Sequence, residues 1–187
     1  WLKADSGMHR LGLSGQSLRD AYQQLKSLPH VHDDVVIATH FAAADELDSP
    51  YTQRQLDNFS AMTAGLDAPV SLANSAAIMA WPDTHGDYSR PGIMLYGASP
   101  FLHAYPGAEA LQPAMTLESA VISLRTIDVG ETVGYGRSWT AQRRSAIATV
   151  AIGYGDGYPR QTPNGTPVWI NGQRAPLAGH VSMDMIT

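Results

Sequence analysis

Two tyrosines in the last third of the chain are placed to do chemistry, because each stands between two glycines. Tyr135 lies in VGYG and Tyr154 in IGYGDGYPR. Flanking glycines favour tight turns that present a side chain instead of packing it in a core. A phenol, whose pKa in water is about 10, serves as a base only where a nearby cation or hydrogen bonds lower that value. The pattern indicates proton transfer, and a turn with an ordinary packing tyrosine is the structural alternative.

Basic side chains come after strand-like segments nearer the N-terminus. Lys3 and Arg10 lie in LKADSGMHRLGL, where Lys3 ends a predicted strand, and His40 directly follows the apolar run VVIAT. The carboxyl ends of parallel strands are where α/β folds bind ligands. We therefore treat these three as candidate binding residues. Solvated cations and a structural histidine are the alternatives.

Two further turns carry small residues that suit an anion. One contains Asn74-Ser75 and the other Arg90-Pro91-Gly92-Ile93. A serine hydroxyl donates one hydrogen bond, and glycine lets backbone N–H groups approach a phosphate closely. Together the two turns would form a phosphate cradle of the kind found in barrel enzymes. Neither is a G-x-G-x-x-G or Walker motif.

Composition and missing motifs exclude several function classes. Of the 187 residues 44% are hydrophobic, the net charge is −5, and cysteine is absent. These values give little support to nucleic-acid binding, exclude disulfides and thiolate catalysis, and fit a cytoplasmic protein. No apolar stretch approaches the roughly 18 residues that would span a membrane. No H-E-x-x-H, EF-hand or G-x-S-x-G pattern occurs, so we expect neither a metal site nor a serine hydrolase.

The first hundred residues alternate helix-like and strand-like segments. Helices are predicted over 17–28, with Ser17 as N-cap, and from Ser49-Pro50 onward, with Leu56, Phe59 and Met62 on one face. Strands are predicted over 35–39, 70–73 and 93–97. This alternation implies βαβ units with a parallel sheet, compatible with a barrel or a doubly wound sheet.

The pattern changes after about residue 110. Strand-like segments at 120–126, 146–152 and 167–170 follow one another, with the hairpin-type dipeptides Asn164-Gly165 and Asn171-Gly172 among them. This predicts a mainly antiparallel β domain over 111–187, after an α/β domain over 1–110.

These segments in their order resemble one family, alanine racemase, a pyridoxal-phosphate-dependent family of fold-type III. The resemblance rests on seven ordered motifs that run from Leu2 to Met185: LKADSGMHRLG, THFAAADE, ANSAAI, RPGIMLYGASP, VGYG, IGYGDGYPR and GHVSMDM. It implies a homodimer whose subunits combine an eight-stranded α/β barrel with a β domain that reaches the partner's active site. The fold class it implies here is α/β: the later part of a (β/α)8 barrel followed by a mainly antiparallel β domain.

Against that family the chain resembles an internal fragment. The family's cofactor lysine lies in an early Val-Lys-Ala-Asn-Ala-Tyr-Gly segment, whereas Lys3 and Lys26 are the only lysines here and lie in other contexts. The end of the β domain also has no counterpart after Thr187. We therefore expect this fragment alone to be inactive. Trp1 does not resemble a native start, so the sequence leaves open whether a targeting segment precedes it.

The resemblance also implies a role for individual residues. Tyr135 corresponds to the catalytic tyrosine, and Arg10, Met183 and Tyr154 correspond to substrate-binding positions. Lys3 matches a lysine that is often carbamylated, which would turn a cation into an anion able to hold Arg10. The cofactor-binding positions are His40 against the pyridine ring, Arg90 at its nitrogen, and Ser75, Gly92 and Ile93 at the phosphate.

The function implied is interconversion of L- and D-alanine by two-base proton transfer on a pyridoxal-phosphate aldimine, supplying D-alanine for peptidoglycan or catabolising it. A broad-specificity racemase and a non-catalytic cofactor-binding fragment are the alternatives. A related decarboxylase of basic amino acids would carry a glutamate at the ring nitrogen and a cysteine near the substrate, and this chain offers Arg90 and no cysteine. Small pyridoxal-binding barrel proteins lack a β domain, so residues 111–187 argue against them.

Overall fold

The computed structural model describes residues 1–187 and forms two compact units, Trp1–Thr116 and Leu117–Thr187. The first unit extends past the composition change near residue 110, because the chain then runs back along an earlier turn. The Ala114 N–H donates to the Tyr96 carbonyl at 3.2 Å. A Cβ added at Gly97 would lie only 1.9 Å from the Gln112 carbonyl oxygen, so the two backbones touch. No helix is both long and apolar enough to cross a membrane.

The first unit contains an open parallel sheet of three strands in chain order, β1 (Leu2–Lys3), β2 (Ile37–Ala38) and β3 (Val70–Ser71). Leu2 pairs with Ile37, and Ile37 pairs with Val70. The predicted 35–39 strand is buried over its whole length, although only two of its residues belong to the paired ladder. The α/β fold class is thus confirmed for this unit, as an open sheet rather than a closed barrel.

Two helices connect these strands and cover the sheet. Helix α1 (Gly15–Ser27) buries Leu18 and Tyr22, and α2 (Tyr51–Thr63) buries Phe59, with Leu56 and Met62 packed against the same core. The apolar face predicted for α2 is therefore confirmed. Ser17 as N-cap is wrong, because α1 begins at Gly15 and places Ser17 inside its first turn.

A strand predicted over 93–97 is wrong, since Ile93–Tyr96 forms a short 3-10 helix that ends at Gly97 with φ +81°. The place beside β3 that this strand would have filled is occupied by Tyr88, which forms a single parallel bridge with Ser71. Ile93 is consequently half exposed instead of buried in a sheet. An apolar run of this length does not by itself distinguish a strand from a helical turn.

The second unit is built from antiparallel pairs. Strand β4 (Val121–Ile127) pairs with β7 (Ser145–Val150), β5 (Thr132–Val133) with β6 (Trp139–Thr140), and β8 (Pro167–Ile170) with β9 (Gln173–Pro176). Asn171-Gly172 makes the two-residue turn of the β8–β9 hairpin, with φ values of +48° and +77° that suit a type I′ turn. Asn164-Gly165 forms a turn that joins no paired strands. Leu177, Val181 and Ile186 form the core. The predicted antiparallel domain is confirmed.

Candidate active site

The carboxyl edge of the parallel sheet brings together four predicted residues of the first unit: Lys3, Arg10, His40 and Arg90. Lys3 ends β1, and His40 follows β2 by two residues. Burial lowers the pKa of His40 below its ordinary value, and the positive charges of Arg90, Arg10 and Lys3 lower it further. A histidine in this setting stays neutral at physiological pH, so its ring can pack against another ring without adding a charge.

Arg90 is anchored by four hydrogen bonds to neutral oxygens. Nη1 donates to the Ser71 carbonyl at 2.8 Å and to Ser71 Oγ at 2.6 Å. Nη2 donates to the Thr39 carbonyl at 2.5 Å and to the Leu72 carbonyl at 3.3 Å. These bonds use both terminal nitrogens, which leaves Nε–H as the donor able to reach a ligand. No carboxylate pairs with the guanidinium, whose burial lowers its pKa below the ordinary value. A guanidinium remains protonated in proteins even so.

The anchoring residues Thr39 and Ser71 were not predicted as part of a site. Each is a buried hydroxyl residue at the end of an otherwise apolar strand. A buried polar group needs a hydrogen-bond partner, so this position was a usable signal. The Ser71 hydroxyl donates to the Tyr88 carbonyl at 2.8 Å and accepts from Arg90, which fixes its orientation.

The structure brings the two predicted anion-binding turns together. Ser75 begins helix α3 (Ser75–Ala80), which Asn74 caps by accepting from the Ala77 N–H at 3.1 Å. Ser75 Oγ accepts from the Gly92 N–H at 2.8 Å and from the Met94 N–H at 3.4 Å. Because Oγ acts as acceptor in both bonds, its own hydrogen is free to point toward a bound anion.

Gly92 and Ile93 complete this turn. A Cβ added at Gly92 would lie 3.6 Å from Ser75 Oγ and would stand beside the hydroxyl, whereas glycine leaves the approach open. Ile93 begins the following 3-10 helix with its side chain half exposed. A serine hydroxyl next to open backbone suits the oxygens of a phosphate monoester.

The loop that carries Arg10 is ordered by a carboxylate. Asp5 accepts from the backbone N–H of Gly7 at 3.1 Å, from that of His9 at 2.9 Å, and from His9 Nδ1 at 3.1 Å. The backbone bond from His9 is the largest cause of the lowered pKa of Asp5. Arg10 follows in an exposed position. Carbamylation of Lys3 stays a prediction.

The predicted residues of the second unit line one cleft of about 810 Å³. It contains Tyr135, Tyr154 and Met183, together with Arg160, His180 and Ser182. Tyr135 is 76% exposed on a turn whose glycines on either side have φ of +74° and +67°. The prediction of presented tyrosines is therefore confirmed. The Arg160 guanidinium lies over the Tyr154 ring, 5.3 Å from its centroid.

Close backbone contact holds the Tyr154 and Met183 segments together. The Tyr154 N–H donates to the Ser182 carbonyl at 3.0 Å, and the Gly155 N–H donates to the Met183 carbonyl at 2.8 Å. A Cβ at Gly153 would lie 2.3 Å from the Met183 carbonyl oxygen, so only glycine allows this approach. Two motifs about thirty residues apart in the chain thereby form one wall of the cleft.

Comparisons with known proteins agree along the whole chain. The family model described as the alanine racemase N-terminal domain matches residues 1–100, and the one described as the C-terminal domain matches residues 114–187. The alanine racemases of Chromohalobacter salexigens and Shewanella amazonensis are 51% and 50% identical over 187 residues. Both alignments cover 100% of this chain and 51% of the relative, so the chain spans about half the length of the curated relatives it matches.

Solved structures give the same result. The biosynthetic alanine racemase from Pseudomonas aeruginosa is 50% identical with a TM-score of 0.86, covering 100% of this chain and 52% of that one. The alanine racemase from Bartonella henselae with covalently bound pyridoxal phosphate is 34% identical with a TM-score of 0.80, covering 99% and 51%. The chain therefore belongs to the alanine racemase family.

Proposed function

We propose that the protein carrying this chain is a pyridoxal-phosphate-dependent racemase that interconverts L- and D-alanine. The observation that carries the proposal is Arg90, a cation held on neutral oxygens at the carboxyl edge of the sheet, with the Ser75–Gly92 turn on the same unit. A phosphate-binding turn and a fixed cation suit the two polar ends of one aromatic phosphate cofactor. Family membership supports the same function.

The residues of the first unit fit this cofactor. Ser75, Gly92 and Ile93 would hold its phosphate, His40 would pack against its pyridine ring, and Arg90 Nε would donate to the ring nitrogen. When bound, pyridoxal phosphate supplies an electron sink that stabilises negative charge on the Cα of an amino acid. The phosphate fit rests on the free Ser75 hydroxyl hydrogen and the open space at Gly92.

Arg90 has a further consequence for the choice of reaction. A guanidinium donates hydrogen bonds but cannot accept a proton, so Arg90 would leave the nitrogen of a bound pyridine ring unprotonated. A glutamate or aspartate at this position would stabilise the protonated nitrogen and strengthen the electron sink. With the cofactor bound, Arg90 would thereby favour return of the proton to Cα over transamination or decarboxylation.

Tyr135 would hold or remove the proton on one face of Cα. A lysine of the full-length protein, other than Lys3 and Lys26, would serve the opposite face. Arg10 would bind the substrate carboxylate. Tyr154 and Met183 would limit the size of the substrate side chain. The exposed position of Tyr135 supports a homodimer in which this tyrosine serves the partner's site. A cytoplasmic location is part of the proposal.

The proposal is tested with the full-length protein, freed of cofactor and then supplied with pyridoxal phosphate. We expect L-alanine to yield D-alanine, measured by chiral chromatography, until the two enantiomers are equal. The unsupplied protein should show no conversion. Cofactor binding without D-alanine formation would reject the racemase and leave only a binding protein, and conversion of L-serine at a similar kcat/KM would favour the broad-specificity alternative.

A further inference from the structure

Gln55, on helix α2, is a buried polar residue that the mechanism above does not use. Its side chain is 1% exposed and reaches the segment that follows β2. Oε1 accepts from the Ala42 N–H at 2.8 Å, and Nε2 donates to the His40 carbonyl at 3.1 Å. One amide thus binds a backbone donor and a backbone acceptor on either side of Phe41, which fixes the backbone that presents the His40 ring.

The same amide also reaches the loop after β1. Gln55 Nε2 donates to Ser6 Oγ at 3.4 Å, and Ser6 Oγ shares a 2.7 Å hydrogen bond with Thr39 Oγ1. Ser6 and Thr39 are both at least 98% buried. The Thr39 carbonyl in turn accepts from Arg90 Nη2. A continuous buried network therefore runs from α2 through the β1 loop to the arginine of the proposed site.

We propose that Gln55 is a positioning residue that holds His40 and, through Ser6 and Thr39, Arg90 in the arrangement the cofactor requires. The inference rests on the proposed function for its catalytic consequence, while the contacts stand without it. A glutamine suits the role because it supplies an acceptor to Ala42 and donors to His40 and Ser6 at once. A carboxylate would keep the bond from Ala42 and can accept from the Ser6 hydroxyl, but it loses the donor to the His40 carbonyl. A methionine of similar length would lose all three bonds.

The charge around His40 provides a readout that stability alone does not move. His40 is packed near Arg90, Arg10 and Lys3, whose positive charges add to burial in lowering its pKa. If the segment after β2 is released, the imidazole moves away from these cations and toward solvent. Both changes raise the pKa of His40 toward its ordinary value.

The experiment compares Gln55→Met and Gln55→Glu with the native full-length protein, free of cofactor. Gln53→Met is the matched control, because Gln53 lies on the same helix and donates only to the exposed Asp57. Three quantities are measured: the His40 pKa by NMR with ε1-¹³C-labelled histidine, amide hydrogen exchange at Ala42, and the dissociation constant of pyridoxal phosphate. Ser6→Ala is a milder variant, should Gln55→Met fail to fold: it removes the hydroxyl that joins Gln55 to Thr39 and keeps the Gln55 bonds to Ala42 and His40.

We expect Gln55→Met to raise the His40 pKa, speed exchange at Ala42 by at least tenfold, and weaken cofactor binding by roughly tenfold to a hundredfold, as loss of positioning does. Gln55→Glu should protect Ala42 again, and Ser6→Ala should weaken cofactor binding with the His40 pKa unchanged. Gln53→Met should match the native protein. An unchanged His40 pKa and native cofactor affinity in Gln55→Met would overturn the inference. A native protein without racemase activity would instead reject the proposed function and leave these contact measurements valid.

Discussion

Replacing Arg90 with methionine tests the anchoring of the proposed site. Of its four acceptors, the Ser71 carbonyl also accepts from the Thr39 N–H at 3.1 Å, whereas the Thr39 carbonyl accepts from Arg90 alone. The Leu72 carbonyl likewise accepts from Arg90 alone, so the substitution leaves two carbonyls without a partner, in residues that are 1% and 4% exposed. An unsatisfied buried acceptor costs about 1–3 kcal/mol. The free energy of unfolding should fall by at least that amount.

The assay is urea unfolding of the cofactor-free full-length protein, followed by titration with pyridoxal phosphate. Arg19→Met is the matched control, because Arg19 also donates to two carbonyls, those of Ala61 and Ala64, at an exposed site where water can replace it. We expect at most about 0.5 kcal/mol of destabilisation for the control, as at other surface sites. Equal stability of Arg90→Met and native protein, together with unchanged cofactor affinity, would show that the Arg90 hydrogen bonds neither stabilise the fold nor hold the site.

Three further changes test separate parts of the structure. Ser75→Ala should weaken pyridoxal phosphate binding by about tenfold or more, the worth of a hydrogen bond to a charged group, and leave the binding of phosphate-free pyridoxal unchanged. Gly97→Ala should destabilise the protein by more than about 2 kcal/mol in urea unfolding, because its Cβ meets Gln112 backbone. Gly107→Ala, with φ +87° and open space, is its control and should cost less. The free energy of unfolding should fall as pH drops below about 6.5, because the pKa of His40 is lowered in the folded state. The unfolded protein then takes up a proton at a pH where folded His40 does not. His40→Gln should flatten this pH dependence, and an unchanged slope in the variant would contradict the prediction.

The sequence predicts the fold best where burial and periodicity agree. The apolar run at 35–39 and the face of α2 that includes Phe59 are both buried as expected. The run at 93–97 misleads because it is apolar, yet its position beside β3 is taken by Tyr88, and this depends on contacts far apart in the chain. The first unit extends to Thr116 because the backbone of Gly97 contacts that of Gln112, which is also a contact between distant positions in the chain.

The candidate site was predicted as separate motifs, and tertiary structure supplies their connections. Ser75 and Gly92 were each expected near an anion, but only the fold shows that the serine accepts from the glycine N–H. The residue pattern places Arg90 in an anion-binding turn and the family resemblance places it at the ring nitrogen, whereas its anchoring on Thr39 and Ser71 follows from strand register. Gln55 gave no signal, because a glutamine on an amphipathic helix normally faces solvent.

Single-turnover kinetics test the proposal that Tyr135 serves one face of Cα and a lysine serves the other. Loss of deuterium from Cα-deuterated L-alanine and D-alanine is measured separately for native full-length protein, Tyr135→Phe and the control Tyr88→Phe. A positioned acid–base contributes roughly 10²–10⁴-fold. We expect Tyr135→Phe to lose this factor for one enantiomer and much less for the other, with Tyr88→Phe at the native rate. Equal loss for both enantiomers, or none for either, would rule out the two-base proposal.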